Sequence, residues 1–278
     1  MKISPISLQN TTHNNTFKSL SYIPDLYTDI YGVVRTTQNT TEKRNDLDYD
    51  KLAKILETRF KSFDTVNICP MNVSDGTEAY CVANAIIRNE GWNTFKKKYA
   101  PVNASDISRN IIEKYPQKGI LHLYYDEIEL FKGLEINILE ESIKDDYKNY
   151  VLFQTNFPDK LYRLNPEYTK HFDFKIIDLQ QRLNEFEDKG NSVIFIRNCL
   201  KQSFTDNSFT KIIKQAAKTL KGKSLFISGG YDTKEPAIKQ ALQDYFNEIE
   251  SNIWELKKTH KFFTKNPAMN YFATLKKL

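Results

Sequence analysis

Glycine is scarce in this chain where a nucleotide-binding loop would need it. The 278 residues include nine glycines, and neither G-x-G-x-x-G nor G-x-x-x-x-G-K-[ST] occurs among them. Such loops hold phosphates with backbone amides at a range that several glycines permit. NAD, FAD and ATP are therefore disfavoured. Three cysteines (Cys69, Cys81 and Cys199) form no C-x-x-C pair, and four histidines (His13, His122, His171 and His260) share no metal-ligand spacing with them or with one another. No metal is expected, and free buried thiols in a reducing cytosol are. No apolar run approaches the roughly 20 residues of a membrane span, and the amino terminus lacks a signal peptide's apolar core. Cytoplasmic placement without membrane insertion is the expectation. The net charge of +5, from 40 basic and 35 acidic residues, is too mild for a nucleic-acid footprint.

What the chain does hold is aromatic and aliphatic mass. Its 18 Phe and 16 Tyr, within a hydrophobic fraction of 40%, suffice for a packed core. Residues 1–20 are rich in Asn, Thr and Ser without periodicity and read as a mobile polar arm. A domain spans 21–258. From Leu47 onward, helical and strand patterns alternate. A helix carrying Leu52, Ile55, Leu56 and Phe60 follows Asp46 or Asp48 as N-cap. Strand "TVNIC" (65–69) comes next, then a helix with Ala79, Val82, Ala83, Ile86 and Ile87 that stops at Gly91. Strand "YAPVNAS" runs to Asp106, and helix "RNIIEKY" is stopped by Pro116. Residues 120–170 are least legible; there "EINILEESIKDDYKNY" reads as helix and "YVLFQTNF" as short strands. Strands "FDFKII" and "SVIFIR" follow, then a helix from Phe209 ended by Gly222, and strand "SLFISGG". A helix carrying Ile238, Ala241, Leu242, Tyr245, Phe246 and Ile249 precedes a final strand, "NIWELKK". The tail 259–278 interleaves lysines with aromatics; a solvated end is favoured over a nucleic-acid contact. The alternation predicts an α/β protein with a largely parallel sheet covered on both faces.

Ligands of such sheets bind beyond the carboxyl ends of the strands. There lies "CPMNVSDGTEAY" (69–80), with Gly76 as its one glycine. A ligand without phosphates tolerates that, and S-adenosylmethionine is such a ligand. Its ammonium suits Asp75 or Glu78, and its carboxylate suits free amides at a helix start. Asn72 is the best substitute for glycine where φ must be positive. Asp106, ending the next strand, is placed to accept both ribose hydroxyls. Each has a plainer reading: Ser74 and Asp75 as an N-cap turn, Asp106 as the cap of the short helix after it. Their joint order is more telling than either alone.

That order, "NVSDGTEAY…NASDIS…IIEK…FKIIDL…FIRNCL…LKGKSLFISGG", resembles the chemotaxis-receptor methyltransferases, S-adenosylmethionine-dependent protein-glutamate O-methyltransferases. The family's G-C-S-T-G-E-E-P-Y falls on Asn72 to Tyr80, which retains Ser74, Gly76, Glu78 and Tyr80. Its ribose-binding acid falls on Asp106, its adenine-side pair on Asp178-Leu179, and its cofactor-bordering R-N on Arg197-Asn198. "GVVR" corresponds to its F-F-R, making Arg35 the arginine beside the cofactor. The resemblance implies a Rossmann-like class I methyltransferase fold with an antiparallel final strand and a small inserted subdomain at about 120–170. It also implies a protein substrate. Asn72 replaces the first loop glycine, Thr77 replaces a glutamate, and Gln202 stands where the family has a tyrosine beside the methyl group. Arg35 and Gln202 are the candidate catalytic residues. Those departures motivate an alternative, a catalytically inactive methyltransferase fold kept as a binding or scaffold protein.

Overall fold

A computed structural model describes residues 26–28, 34–36, 47–74, 76–123, 131, 136–138, 160–200 and 208–257. The polar arm (1–20), the tail (259–278), "YVLFQTNF", Asp75 and Gln202 lie outside them. Strands β1 (Leu26–Thr28) and β2 (Val34–Thr36) form an antiparallel ribbon with Tyr27 opposite Arg35. Helix α1 (Tyr49–Arg59) begins at Asp48, whose carboxylate accepts the Lys51 amide at 2.9 Å. It buries Tyr49, Leu52, Ala53 and Leu56, an i, i+3, i+4, i+7 stripe. Strand β3 (Asn67–Met71) leads into α2 (Thr77–Glu90), which Gly91 ends at φ 84°. The short α3 (Trp92–Thr94) is followed by β4 (Val102–Asp106) and α4 (Arg109–Lys114).

The next strands make a sheet of their own: β5 (Ile120–Leu123), β6 (Ile136–Ile138) and β7 (Lys160–Leu164), in the order β5-β7-β6, all antiparallel. It occupies the stretch where the resemblance implies an inserted subdomain. Ile136–Ile138 reads in sequence as the start of an acidic helix; it is a strand, paired across to Tyr162 and Leu164. Alternating Ile136 and Ile138 suit a pleat, and strand pairing outweighs the helical signal of the acids.

Helix α5 (Pro166–Thr169) connects to β8 (Phe172–Ile176), and α6 (Leu179–Glu185) precedes β9 (Ser192–Ile196). Helix α6 has no counterpart in the sequence reading. It is two turns long and owes its start to the Asp178 cap. Helix α7 (Phe209–Thr219) buries Phe209, Ile212, Ile213, Ala216 and Ala217. It stops before Gly222, which instead turns the chain at φ 56° so close to Gly190 that a Cβ would lie 3.0 Å from that residue's Cα. Beyond β10 (Leu225–Ser228) come α8 (Gly230–Thr233) and α9 (Pro236–Tyr245). Phe246 and Ile249, at helical spacing in sequence, belong to strand β11 (Phe246–Glu250). Pairing with β12 (Ile253–Leu256) buries Phe246 and leaves Ile249 exposed.

The main sheet runs β11-β12-β10-β9-β3-β4-β8. Strands β8, β4, β3, β9 and β10 are parallel, and β12 is antiparallel to β10. Successive residues enter opposite cores. Ile68, Val193, Phe195, Leu225 and Ile227 pack under α1 and α2. Cys69, Met71, Ile194, Ile196 and Phe226 pack under α7 and α9. Each such buried side chain contributes about 1.5–3 kcal/mol. The chain leaves β3 for β4 on one side and later returns to β9 on the other, so the order reverses between β3 and β9. Sheets of this kind bind ligands in the crevice at such a reversal.

Far from that crevice, at the amino end of β8, His171 packs edge-on to Trp92 with centroids 5.1 Å apart. Its Nε2 is buried without a partner among the described residues. Burial lowers its pKa below 6.5, and Lys170 and Lys96 add to that against Glu167. The folded state therefore binds fewer protons than the unfolded state between the lowered value and 6.5, and stability rises with pH across that window. The urea midpoint is expected to fall as pH is taken below 6.5, and His171→Phe is expected to flatten that slope. Parallel slopes for the two proteins refute this.

Candidate active site

The turn after β3 carries positive φ at alternate positions: Asn72 at 58°, Ser74 at 51° and Gly76 at 80°. Asn tolerates this conformation and Gly adopts it freely, whereas Ser is strained there. Gly76 is also required by contact, since a Cβ would lie 2.5 Å from Pro116 Cβ. Tyr80, one turn into α2, donates its hydroxyl to the Pro116 carbonyl at 2.8 Å. The loop is thus pinned to the turn that follows α4.

It is pinned to β4 as well. Asp106 Oδ2 accepts the Ser74 amide at 2.8 Å, and Oδ1 accepts the Ser108 amide at 2.9 Å. A carboxylate offers about four lone-pair sites, so one oxygen can serve a backbone amide and another donor together. Ser74 Oγ is buried with no partner among the described residues. Two oxygens on one carboxylate suit a ribose diol, and an unsatisfied buried hydroxyl suits a polar ligand. The residues present fit S-adenosylmethionine.

Glu78 and Arg197 are buried. They form an ion pair, with side chains 1% and 0% exposed, beneath the loop. The Tyr49 hydroxyl accepts from Arg197 Nη1 at 3.1 Å. The pair joins α1, α2 and the end of β9. Asp178 is half-buried, and its Oδ1 accepts the Gln180 amide at 2.8 Å and the Gln181 amide at 3.2 Å, capping α6. The Ile177 amide donates to the Asp106 carbonyl at 2.9 Å, which keeps Asp178 on the same rim. Leu179 is a buried core residue.

Asn198, at φ 55°, accepts the Tyr231 amide on Oδ1 at 3.1 Å. Gly229 lies so close that a Cβ there would fall 2.0 Å from Asn198 Oδ1. Next in the chain, the Cys199 amide donates to Asp232 Oδ2 at 3.2 Å. The structure thus gathers Asn72, Ser74, Gly76, Asp106, Asp178 and Asn198 at one rim. Arg35 is on β2, and no described contact brings it there. Sequence reasoning missed Tyr49, Cys199 and Asp232. The pair of glycines before Asp232 was the available sign of a close approach.

The profile of the CheR methyltransferase, SAM binding domain, matches residues 38–253. The chain belongs to this family. It is an S-adenosylmethionine-dependent methyltransferase of α/β architecture. No curated protein sequence matches it. Among solved structures it is similar to precorrin-6y C5,15-methyltransferase from Geobacter metallireducens, at 10% identity over 73% of this chain and 74% of that one, TM-score 0.35. It is also similar to the N-methyltransferase NodS from Bradyrhizobium japonicum in complex with S-adenosyl-L-homocysteine, at 11% identity over 74% and 79%, TM-score 0.31. A third is the [4+2]-cyclase SpnF, at 10% identity, of which this methyltransferase covers 59%, TM-score 0.35. No helix among its described residues is long and apolar enough to cross a membrane.

Removing one member of the buried pair strands the other charge. Glu78→Ala is expected to cost about 3–5 kcal/mol in urea unfolding, and joint replacement by Glu78→Met and Arg197→Met to recover most of it. Equal losses for the single and joint replacements argue against this. All three cysteines are buried and free. Desolvation pushes the Cys69 thiol up to about 12 and raises Cys199 as well. The native methyltransferase is expected to be silent to a disulfide colour reagent at pH 8 and to react fully once denatured; fast reaction of the native form contradicts this burial.

Proposed function

We propose that this methyltransferase acts on a protein carboxylate, the side chain of a glutamate. Membership of the CheR family carries the reading, supported by the chemistry of the rim. Bound S-adenosylmethionine supplies an electrophilic methyl group on a sulfonium. A carboxylate acceptor is already ionised and the leaving thioether is neutral, so alignment and exclusion of water are what the protein must provide. Asp106 would hold the ribose hydroxyls on its carboxylate, and Ser74, Gly76 and Asn72 would shape the loop against the methionyl end. Asp178 and Leu179 would border the adenine, with Asn198 at the end of β9. The Glu78–Arg197 pair would hold the loop from below. Arg35 would orient the incoming carboxylate, and Gln202 would line the methyl path.

The second reading is a fold retained as an inactive scaffold. It is favoured by the internal hydrogen bonds that already engage Asp106, Asp178 and Asn198.

The product tells the readings apart. With tritiated S-adenosylmethionine and a protein lysate, methyl esters release volatile methanol in mild alkali, whereas N-methyl groups do not. Alkali-labile label, lost in Asp106→Ala, is the expected outcome. Alkali-stable label would reassign the acceptor, and cofactor binding without any transfer would leave the scaffold.

A further inference from the structure

Helix α7 breaks local rules that its neighbours keep. Helices α1 and α2 place an acid in the first turn and a base in the last, Asp50 with Arg59 and Glu78 with Arg88, as the helix dipole favours. Helix α7 has no acid along its length. Its Ile212, Ile213, Ala216 and Ala217 are buried, while Lys211, Lys214 and Lys218 are exposed, with Lys221 just past the end. The three helical lysines stand three and four residues apart, spacings at which like charges adjoin and repel. Taking the four lysines from the 40 basic residues leaves 36 against 35 acidic, so they account for four of the five units of net charge. Lys214, Lys218 and Lys221 enter no ion pair among the described residues. Helix α7 lies between α6 and α9. The exposed acids of those two helices, Glu185 and Asp244, accept from glutamines of their own helix, Gln181 at 3.3 Å and Gln240 at 2.9 Å. A merely solvated face carries both signs interspersed. One that forgoes local stability for a single sign suits a partner of the other.

The chemistry of the face selects among polyanions. The exposed side of α7 has no arginine for bidentate phosphate contacts and no aromatic for base stacking, which disfavours nucleic acid. It has no exposed apolar side chain to enter a lipid interface. Lysines are hydrated point charges, suited to steering a surface rich in carboxylates. Because β9 and β10 are parallel, α7 runs back between them, and its first turn lies on the side of the sheet that carries the rim. We propose that the exposed face of α7 docks an acidic surface of the protein substrate, its Lys211 end leading toward the rim. The inference deepens the protein-carboxylate reading above and rests on it for the identity of the partner.

The test compares the full-length wild type with the triple variant Lys211→Glu, Lys214→Glu, Lys218→Glu. A control makes the same change of charge at exposed lysines on the other side of the sheet, Lys54→Glu, Lys61→Glu, Lys97→Glu. Each is titrated with labelled poly-L-glutamate, with a DNA duplex, with vesicles of equal parts phosphatidylserine and phosphatidylcholine, and with S-adenosylhomocysteine. The wild type is expected to prefer poly-L-glutamate to DNA and vesicles. The α7 variant is expected to bind it about tenfold more weakly and the control within about threefold of wild type, all three keeping the same affinity for S-adenosylhomocysteine. In tritium transfer to lysate protein, the α7 variant is expected to need more lysate for half-maximal rate while reaching the same maximal rate. Lys214→Glu alone turns two like-charged pairs into opposite ones, so it is expected to hold or raise the urea midpoint while weakening poly-L-glutamate. Should the triple variant fail to fold, this single replacement decides. Equal weakening in variant and control, tighter binding of DNA or vesicles by the wild type, or a midpoint lowered by Lys214→Glu overturns the proposal. Absence of methyl transfer by the wild type would instead sink the protein-carboxylate reading, and the poly-L-glutamate titration would still report whether α7 is an acid-binding face.

Discussion

Two backbone amides from different loops, those of Ser74 and Ser108, converge on the single carboxylate of Asp106. The rest of the rim depends on that convergence. A carboxylate accepting backbone N–H groups from two loops is held in one orientation. It also determines the turn after β3. Ser74 sits at a φ that serine seldom adopts, and such strain persists where surrounding bonds over-determine it. Asp106 on one side, and Gly76 against Pro116 on the other, supply those bonds. The acid is thus a strut of the loop.

Beneath the loop a second layer does the mechanical work. The Glu78–Arg197 pair and the Tyr49 hydroxyl bind three elements that meet nowhere else in sequence. Buried ion pairs add little net stability over apolar packing, but they tolerate few alternative arrangements. A loop resting on such a pair has one seat. To the side, the Asn198 and Asp232 contacts fix the exits of β9 and β10 relative to each other. The crevice is therefore built on side chains that make their bonds inside the protein, with few of them exposed to a ligand.

The legible features were those set by local chemistry. Asp48 as N-cap, Gly91 as helix stop and Asn72 at positive φ follow from what these residues do to their own backbone. The parallel sheet followed from strands buried on both faces, and the rim from the order of motifs along it. The illegible features were set by partners distant in sequence. Phe246 and Ile249 keep helical spacing, yet β12 draws them into a strand; Ile136–Ile138 goes with β7 despite its acidic surroundings. The fate of Glu78 is the same lesson at the site. Its type and position match a ligand-binding motif, but whether a carboxylate meets ammonium or guanidinium depends on Arg197, 119 residues away. Asp232 was invisible for the same reason.

The order of β11 and β12 has a consequence for how the molecule comes into being. Strand β12 lies between β10 and β11, although it is the last of the three to be made. Until Ile253–Leu256 has cleared the ribosome, β10 keeps a bare edge and β11 has no neighbour at all. The indole of Trp254, hydrogen-bonded to Ser228 Oγ at 2.7 Å, is the keystone set last. A nascent chain halted just short of it would display an unpaired hydrophobic strand, the kind of edge on which polypeptides associate. The sheet cannot be completed from its amino-terminal end alone; it is sealed by its final turn.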